Sequence, residues 1–409
     1  MSSSTWPSST GWRAVPDGFG RDNLPFGVCR QGDRRFAAVR LGDAAVDLDA
    51  LQRAGGLRDV DLPAGVFTTG VLNDYLALGP GTWARTRAVL QEADLDRVLV
   101  PLADVDMVLP IEVADYVDFY SSEHHARNMG LILRPDTEPL LPNWKRLPVG
   151  YHGRAGTVVV SGTPIARPRG LVAGDGEPEW RPTRVLDIEL EVGTVIGVGS
   201  AMGARIRADD ADGHVFGFVL LDDWSARDIQ AFEYQPLGPF LAKSFATSIS
   251  PWIVMLDAVR PFLSAGHPQV PEPAPYLRST RPWHLDLDLE VDLNGTTVSC
   301  TSFGHMYWSF AQQLAHVTGN GARARTGDLL GSGTVSGPEP GTRGSLMEMT
   351  WRGRDPLALA DGTTRTFLED GDTVVLRGRC GGPGDARGWI EFGECAGTVL
   401  PAPHEPGGV

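Results

Sequence analysis

The sequence predicts a mainly β fold with a few helices, arranged as a small N-terminal unit followed by a larger C-terminal one. Three observations carry this. Short runs of alternating apolar and polar residues recur along the chain, the pattern of half-buried strands. Fifty Gly and 31 Pro punctuate them, which suits many turns rather than helical bundles. Helical periodicity is confined to a few short stretches. At 409 residues the chain is long enough for two domains, and 42% hydrophobic with 21% charged residues is ordinary for a soluble globular protein.

Residues 1–22 are rich in Ser, Gly and Pro and read as a flexible arm. The first unit, 23–108, opens with strand-like runs at Phe26-Gly27-Val28 and 36–41. A turn at Gly42-Asp43 lets 45–48 pair back, and residues 73–93 read as helical segments broken at Gly79-Pro80-Gly81. The second unit, 109–409, carries expected strands at 157–161, 185–192, 214–221, 284–293, 296–302, 345–351, 373–378 and 389–393. Helices are expected at 122–130, 224–234 and 304–318, and long Pro- and Gly-rich loops at 170–183 and 261–282.

Composition narrows the function. A formal net charge of −15 argues against nucleic acid as a partner. The cysteines, Cys29, Cys300, Cys380 and Cys395, show neither CxxC nor zinc spacing and read as reduced thiols. The N-terminus lacks the basic and apolar regions of a signal peptide. No apolar run approaches the roughly 18 residues of a membrane span. A soluble cytoplasmic protein without membrane contact is expected. Of 36 basic residues only Lys145 and Lys243 are lysine. An ammonium donates a proton or meets a point charge, which a permanently charged planar guanidinium does poorly.

Chemistry concentrates in a few stretches. In Leu186-Asp187-Ile188-Glu189-Leu190-Glu191-Val192, period-two alternation puts Asp187, Glu189 and Glu191 on one side of a strand. Two such charges 4 Å apart repel by about 1 kcal/mol in water and about 4 kcal/mol at an effective dielectric near 20. A shared divalent cation removes that repulsion. A solvated strand has the same pattern, and 285–293, closed by the turn signal Asn294-Gly295, reads as such a wet face.

In 115–125, Asp118 and Tyr120 share a face of an extended segment. Ser121 or Ser122 caps a helix whose first turn holds His125. The helix dipole disfavours imidazolium there, as a general base requires. In 221–234, Asp222 or Asp223 is placed at a helix N-cap, and Arg227, Gln230 and Tyr234 line one helix face, aimed at an anion or a developing oxyanion. Lys243 lies in an apolar run and needs a charged partner. The small-residue loop 331–338 lets backbone approach a ligand. Glu348, an acid among apolar residues, either orients a histidine or pairs with an arginine.

These stretches, read as DYVDFYSSEHHA, LPVGYHGRAGTVVVSGTPI, LDIELEVG, DDWSARDIQAFEYQPLGPFLAKSFATSISPW, GSGTVSGPEP and EFGECAGTVLPA, resemble the fumarylacetoacetase (fumarylacetoacetate hydrolase) family in the same order and over nearly the whole chain. The resemblance implies a metal-dependent homodimer with a small N-terminal SH3-like barrel and a larger C-terminal β-roll. It implies Asp118, Glu189, Glu191 and Asp223 as ligands of Ca²⁺, Mg²⁺ or Mn²⁺, with Lys243 and Thr247 beside the metal. It implies His125 as general base with Glu348 orienting it. Arg227, Gln230 and Lys243 would stabilise an oxyanion, and Tyr120, Arg134, Tyr151, Gln230, Tyr234 and Thr334 would hold substrate. The implied reaction is hydrolysis of the C–C bond of fumarylacetoacetate, a dicarboxylic diketone, to fumarate and acetoacetate, ending tyrosine and phenylalanine catabolism. The alternatives are a related diketone-acid hydrolase or decarboxylase, acylpyruvase-like, or a catalytically silent ligand-binding member. Asp222, His124 and Glu391 depart from the family pattern; Asp222 puts an extra negative charge beside the metal ligands.

Overall fold

The computed structural model describes residues 18–404. Most of the expected N-terminal arm lies outside them, but its described end is not loose. Phe19 is buried under the Arg40 guanidinium, 3.4 Å from the ring centroid. The Asn23 amide donates to the Gly18 and Glu391 carbonyls at 2.8 and 2.7 Å.

Five antiparallel strands form the first sheet, in the order Leu99–Pro101, Ala44–Asp47, Arg34–Leu41, Phe26–Gln31 and Asp106–Val108. Helices Asn73–Leu76 and Pro80–Glu92 are divided where the Gly-Pro-Gly signal places the break. Phe26 stacks on Tyr75 at 5.2 Å, and Phe216, from the C-terminal part, meets Phe26, Tyr75 and Trp83 edge-on. Such aromatic pairs contribute about 0.5–1.5 kcal/mol each beyond their area, so the first sheet is seated firmly on the C-terminal part.

An eight-stranded sheet organises the rest. Its order is Gly150–His152, Tyr116–Phe119, Leu329–Gly331, Leu190–Ile196, Val215–Asp222, Thr247–Ile249 and Val158–Val160, with Val254–Met255 pairing on Val215–Asp222. A six-stranded sheet built on Asp288–Leu293 and Thr373–Gly381 packs against it. The two sheets touch closely: a Cβ on Gly378 would lie 2.9 Å from Leu220 of the eight-stranded sheet. The fold is mainly β, as expected. Among the described residues no helix is long and apolar enough to cross a membrane, and all four cysteines are unpaired.

Four local expectations are corrected. Residues 345–351 form no strand; Leu346–Met349 is a helical turn whose N-cap Ser345 accepts from the Glu348 N–H. The helix expected over 224–234 is Arg227–Glu233, with Ala226 at its N-cap rather than Asp222 or Asp223. The expected 304–318 helix shortens to Phe310–Val317, capped by Ser309 and Gln312. Finally, 285–293 is no wet face. Glu290 and Asp292 are buried because their strand is internal to its sheet, and Arg377 on the neighbouring strand lies 3.3 and 3.9 Å from them.

Candidate metal centre and active site

Several strands of the large sheet end at one place, and each brings a polar residue there. Tyr116–Phe119 carries Asp118, with Gly331 opposite in parallel register. Glu191 lies near the start of Leu190–Ile196 and Glu189 just before it. Asp223 comes directly after Val215–Asp222, and Thr247 opens Thr247–Ile249. The register Leu190↔Asp222 and Asp222↔Ser248 aligns these ends. Carboxylate oxygens of Asp118, Glu189, Glu191 and Asp223 lie within 4.8 Å of one another, and all four residues are buried. A side chain at Gly331 has no room: its Cβ would sit 2.8 Å from Asp118 Oδ1 and 2.9 Å from Glu191 Oε2.

Lys243 reaches only two of these four carboxylates. Its Nζ is 2.5 Å from Glu189 Oε2 and 2.6 Å from Asp223 Oδ2. Burial works against the ammonium, but Asp223 and Glu189 outweigh it and hold the Lys243 pKa above its usual value. Asp223 also accepts from the Tyr151 hydroxyl (2.9 Å) and from Thr247 Oγ1 (3.3 Å). By contrast, Asp118 Oδ1 and Glu191 Oε1 are buried without a hydrogen-bond partner. Burial pushes both carboxyls well up, and neighbouring carboxylates push them further, Asp223 on Asp118 and Asp118 on Glu191. For Glu189 burial acts the same way, but Lys243 and Arg227 hold it below the carboxylate range. Two orphaned carboxylate oxygens in a buried acidic cluster fit a divalent cation, which prefers oxygen ligands. The four acids are thus able to hold a metal.

Beside the cluster lies an imidazole–carboxylate pair. Ser122 caps helix Glu123–Leu133 by accepting from the His125 N–H, which puts His125 in the first turn, as expected. His125 Nδ1 is 2.6 Å from Glu348 Oε2. Glu348 also accepts from Asn128 Nδ2, Ser336 Oγ and Ser345 Oγ, each at 2.9 Å. Burial would raise the Glu348 pKa; His125 and these donors hold it below its usual value. An imidazole whose Nδ1–H donates to a carboxylate has Nε2 open as acceptor. That nitrogen lies 4.0 Å from Glu189 Oε1.

Arg227 is buried, and its Nη2 meets Glu189 as an ion pair without hydrogen-bond geometry. Its Nε is 2.7 Å from Asp187 Oδ2, its Nη2 2.7 Å from Glu189 Oε1, and its Nη1 donates to Gln230 Oε1 at 3.1 Å. Asp187 therefore stands outside the acidic cluster. Uninterrupted alternation would have aligned it with Glu189 and Glu191, but the strand Leu186–Asp187 ends before Leu190–Ile196 begins and pairs elsewhere, with Ser225-Ala226.

The expected substrate residues divide. The Tyr120 ring stands edge-on to His125 at 5.1 Å, and Thr334 Oγ1 is buried without a partner. Arg134 donates from Nη2 to the Pro139 carbonyl at 3.2 Å, while its Nε is buried and unbonded. Tyr234 lies past the end of its helix, 36% exposed, with its hydroxyl accepting from Gln235. Lys145 pairs with Glu123 at 2.9 Å and has no part in the cluster.

The departures stand apart as well. Asp222 is buried and accepts from the Glu189 N–H at 3.2 Å, and burial pushes its carboxyl well up. Glu391 accepts from Trp389 Nε1 at 2.9 Å on the other sheet, and His124 stands edge-on to His305. Sequence reasoning missed Tyr116, two residues before Asp118 on the same strand face, whose buried hydroxyl lies 3.3 Å from where a Gly331 Cβ would sit. It also missed Asn128, Ser336 and Ser345 around Glu348.

A cavity of about 640 Å³ opens behind the strand that carries Asp118. Val117 and Phe119, which alternate with that aspartate, line it together with Arg205, Tyr276 and Arg323. Of the expected substrate residues only Tyr151 borders it.

The sequence pattern of the fumarylacetoacetate hydrolase C-terminal region matches residues 115–400, and that of the fumarylacetoacetase N-terminal region matches 22–110. The chain belongs to the fumarylacetoacetate hydrolase family. It is 45% identical over 405 residues to a fumarylacetoacetase of Arabidopsis thaliana, covering 93% of this chain and 95% of the relative. It is 43% identical over 403 residues to a human fumarylacetoacetase, covering 93% and 96%. The solved fumarylacetoacetate hydrolase from Exiguobacterium antarcticum matches with a TM-score of 0.55 at 18% identity, covering 92% of this chain and 99% of that one. At that identity the likeness speaks for the family's fold alone.

Proposed function

We propose that this chain is a metal-dependent hydrolase that cleaves fumarylacetoacetate to fumarate and acetoacetate, the last step of tyrosine breakdown. One observation carries the proposal. The four-carboxylate cluster with its two orphaned oxygens, the ion-paired Lys243 and the His125–Glu348 pair meet in a chain 43–45% identical to fumarylacetoacetases over nearly its whole length.

Asp118, Glu189, Glu191 and Asp223 would hold Ca²⁺ or Mg²⁺, or Mn²⁺, all oxygen-seeking ions. A bound ion supplies Lewis acidity toward the substrate's diketone oxygens. His125 takes a proton at Nε2 from the attacking water, while Glu348 keeps the ring oriented and balances the resulting imidazolium. The new C–O bond makes a tetrahedral oxyanion. Arg227 stabilises it with Lys243 and with the amide N–H of Gln230, whose carbonyl is already turned to Arg227. Collapse breaks the C–C bond, and its electron pair leaves on the acetoacetate carbon, delocalised over the adjacent ketone. Lys243 donates the proton that this carbon takes up. Tyr120, Arg134, Tyr151, Tyr234 and Thr334 would hold the substrate. The reading includes a cytoplasmic homodimer; Leu237 at 97% and Phe240 at 69% exposure give the chain the apolar surface a second copy would cover.

The test is product identification after incubating purified chain, loaded with divalent cation, with fumarylacetoacetate. Fumarate and acetoacetate are expected, and His125→Ala should abolish their formation while the protein stays folded. Turnover only of acylpyruvates would move the activity elsewhere in the family. No turnover of any diketone acid with metal bound would make the chain a silent binder.

A further inference from the structure

Asp187 is the one carboxylate of the acidic run that turns away from the metal cluster, yet it is fully buried. Its two oxygens accept four hydrogen bonds from three parts of the chain. Oδ1 takes the Leu346 N–H at 2.7 Å and the adjacent Ile188 N–H at 2.8 Å. Oδ2 takes Arg227 Nε at 2.7 Å and the Met347 N–H at 3.1 Å. Leu346 and Met347 open the helical turn whose third residue is Glu348, the acceptor of His125 Nδ1. The first N–H groups of a helical turn have no partner within it. Ser345 serves only the third, the Glu348 N–H. One carboxylate therefore fixes both the guanidinium that meets Glu189 and the turn that aims the base.

We propose that Asp187 is a positioning residue for catalysis, a strut that holds Arg227 and the Glu348 turn in a single geometry. The proposal rests on the catalytic reading above and adds to it a coupling between its two halves. Guanidinium orientation needs this anchor. Glu189 and Gln230 engage the two Nη atoms, and the Nε bond to Asp187 sets the plane in which both are reached. Misplacement by about 1 Å is enough to cost on the order of a hundredfold in rate. Asparagine, of the same shape, cannot replace the carboxylate. Whichever way its amide is turned, the NH₂ faces two donors, either Arg227 Nε with the Met347 N–H or the Leu346 and Ile188 N–H groups.

The experiment compares wild type with Asp187→Asn in the full-length, cation-loaded protein. Three results are expected. The variant's kcat falls at least thirtyfold with KM and cation affinity within threefold of wild type. In a chain already carrying Arg227→Ala and Glu348→Gln, the same exchange lowers the residual kcat less than threefold, because its two routes of action are gone. Amide hydrogen exchange at 346–348 accelerates at least tenfold, a readout that needs no substrate. A kcat within threefold of wild type, an equal loss in both backgrounds, or unchanged exchange overturns the strut. If wild type fails to hydrolyse fumarylacetoacetate, the functional reading fails, and the exchange result still decides whether Asp187 holds the turn. If Asp187→Asn does not fold, Asp187→Glu keeps the charge that neutralises Arg227 but changes its reach. At least a tenfold loss of kcat is then expected, and wild-type kcat overturns the proposal.

Discussion

Exchanging Glu191 for glutamine should stabilise the protein without metal and cancel that gain with metal. Glu191 Oε2 accepts from the Gly333 N–H at 3.0 Å, a bond the amide oxygen retains. Its other oxygen has no partner and belongs to a group of carboxylates within 4.8 Å of one another. Two full charges at 4.8 Å repel by about 3.5 kcal/mol at an effective dielectric near 20. Protonation already relieves part of this, since burial, Asp118 and Asp223 push the Glu191 carboxyl well up. The expected gain for Glu191→Gln in chelator is then about 1–3 kcal/mol. A cation at a hundred times its Kd adds about 2.7 kcal/mol to wild type. A variant with affinity lowered about a hundredfold gains only about 0.4 kcal/mol at the same concentration. The assay is the urea midpoint of both proteins in EDTA and in excess CaCl₂ or MgCl₂. A variant less stable than wild type in EDTA, together with equal stabilisation of both by cation, would refute the reasoning.

Three further outcomes are expected. Gly331→Ala forces a methyl against Asp118 Oδ1 and Glu191 Oε2; calorimetric titration should show cation affinity lowered at least tenfold, about 1.4 kcal/mol, and unchanged affinity would mean that the strand end gives way. Glu348→Gln should lower kcat by about 10²–10⁴, the usual worth of positioned general base catalysis, while cation affinity stays within a few-fold; wild-type kcat would remove Glu348 from the mechanism. Asp328, whose oxygens accept from the Asp115 and Arg325 N–H groups, is pushed up to about 6 by burial. The folded state holds this proton more tightly than the unfolded one, so the Asp328 contribution to stability is present in full below about pH 4 and is lost, roughly 3 kcal/mol in all, as pH rises through 6. Asp328→Asn should flatten the urea midpoint between pH 4 and 6, and an unaltered slope would contradict the assignment.

Much of this was legible in the residues, for reasons that can be named. A serine cap at Ser121 or Ser122 locates the turn that carries His125, because capping is a local bond. Glu189 and Glu191 were marked by alternation, but Asp118 and Asp223 came to them only through a resemblance, since nothing local records which strands pair. Asp187 was misassigned because period two assumes an unbroken strand. The turn at 346–349 was misread from its apolar residues, although Ser345 three residues before Glu348 is a capping signal. Glu290 and Asp292 looked solvated because their partner, Arg377, lies far along the chain on a strand that pairs with theirs. Local bonds were readable; contacts set by strand order were not.

The most direct test is a cation titration of activity. The chain is stripped with chelator, and Ca²⁺, Mg²⁺ or Mn²⁺ is returned stepwise while the loss of the diketone's ultraviolet absorbance is monitored. Turnover should vanish on stripping and return in full with one ion per chain, and Asp118→Asn should prevent the return at that concentration. Undiminished hydrolysis by verified metal-free protein would contradict the account.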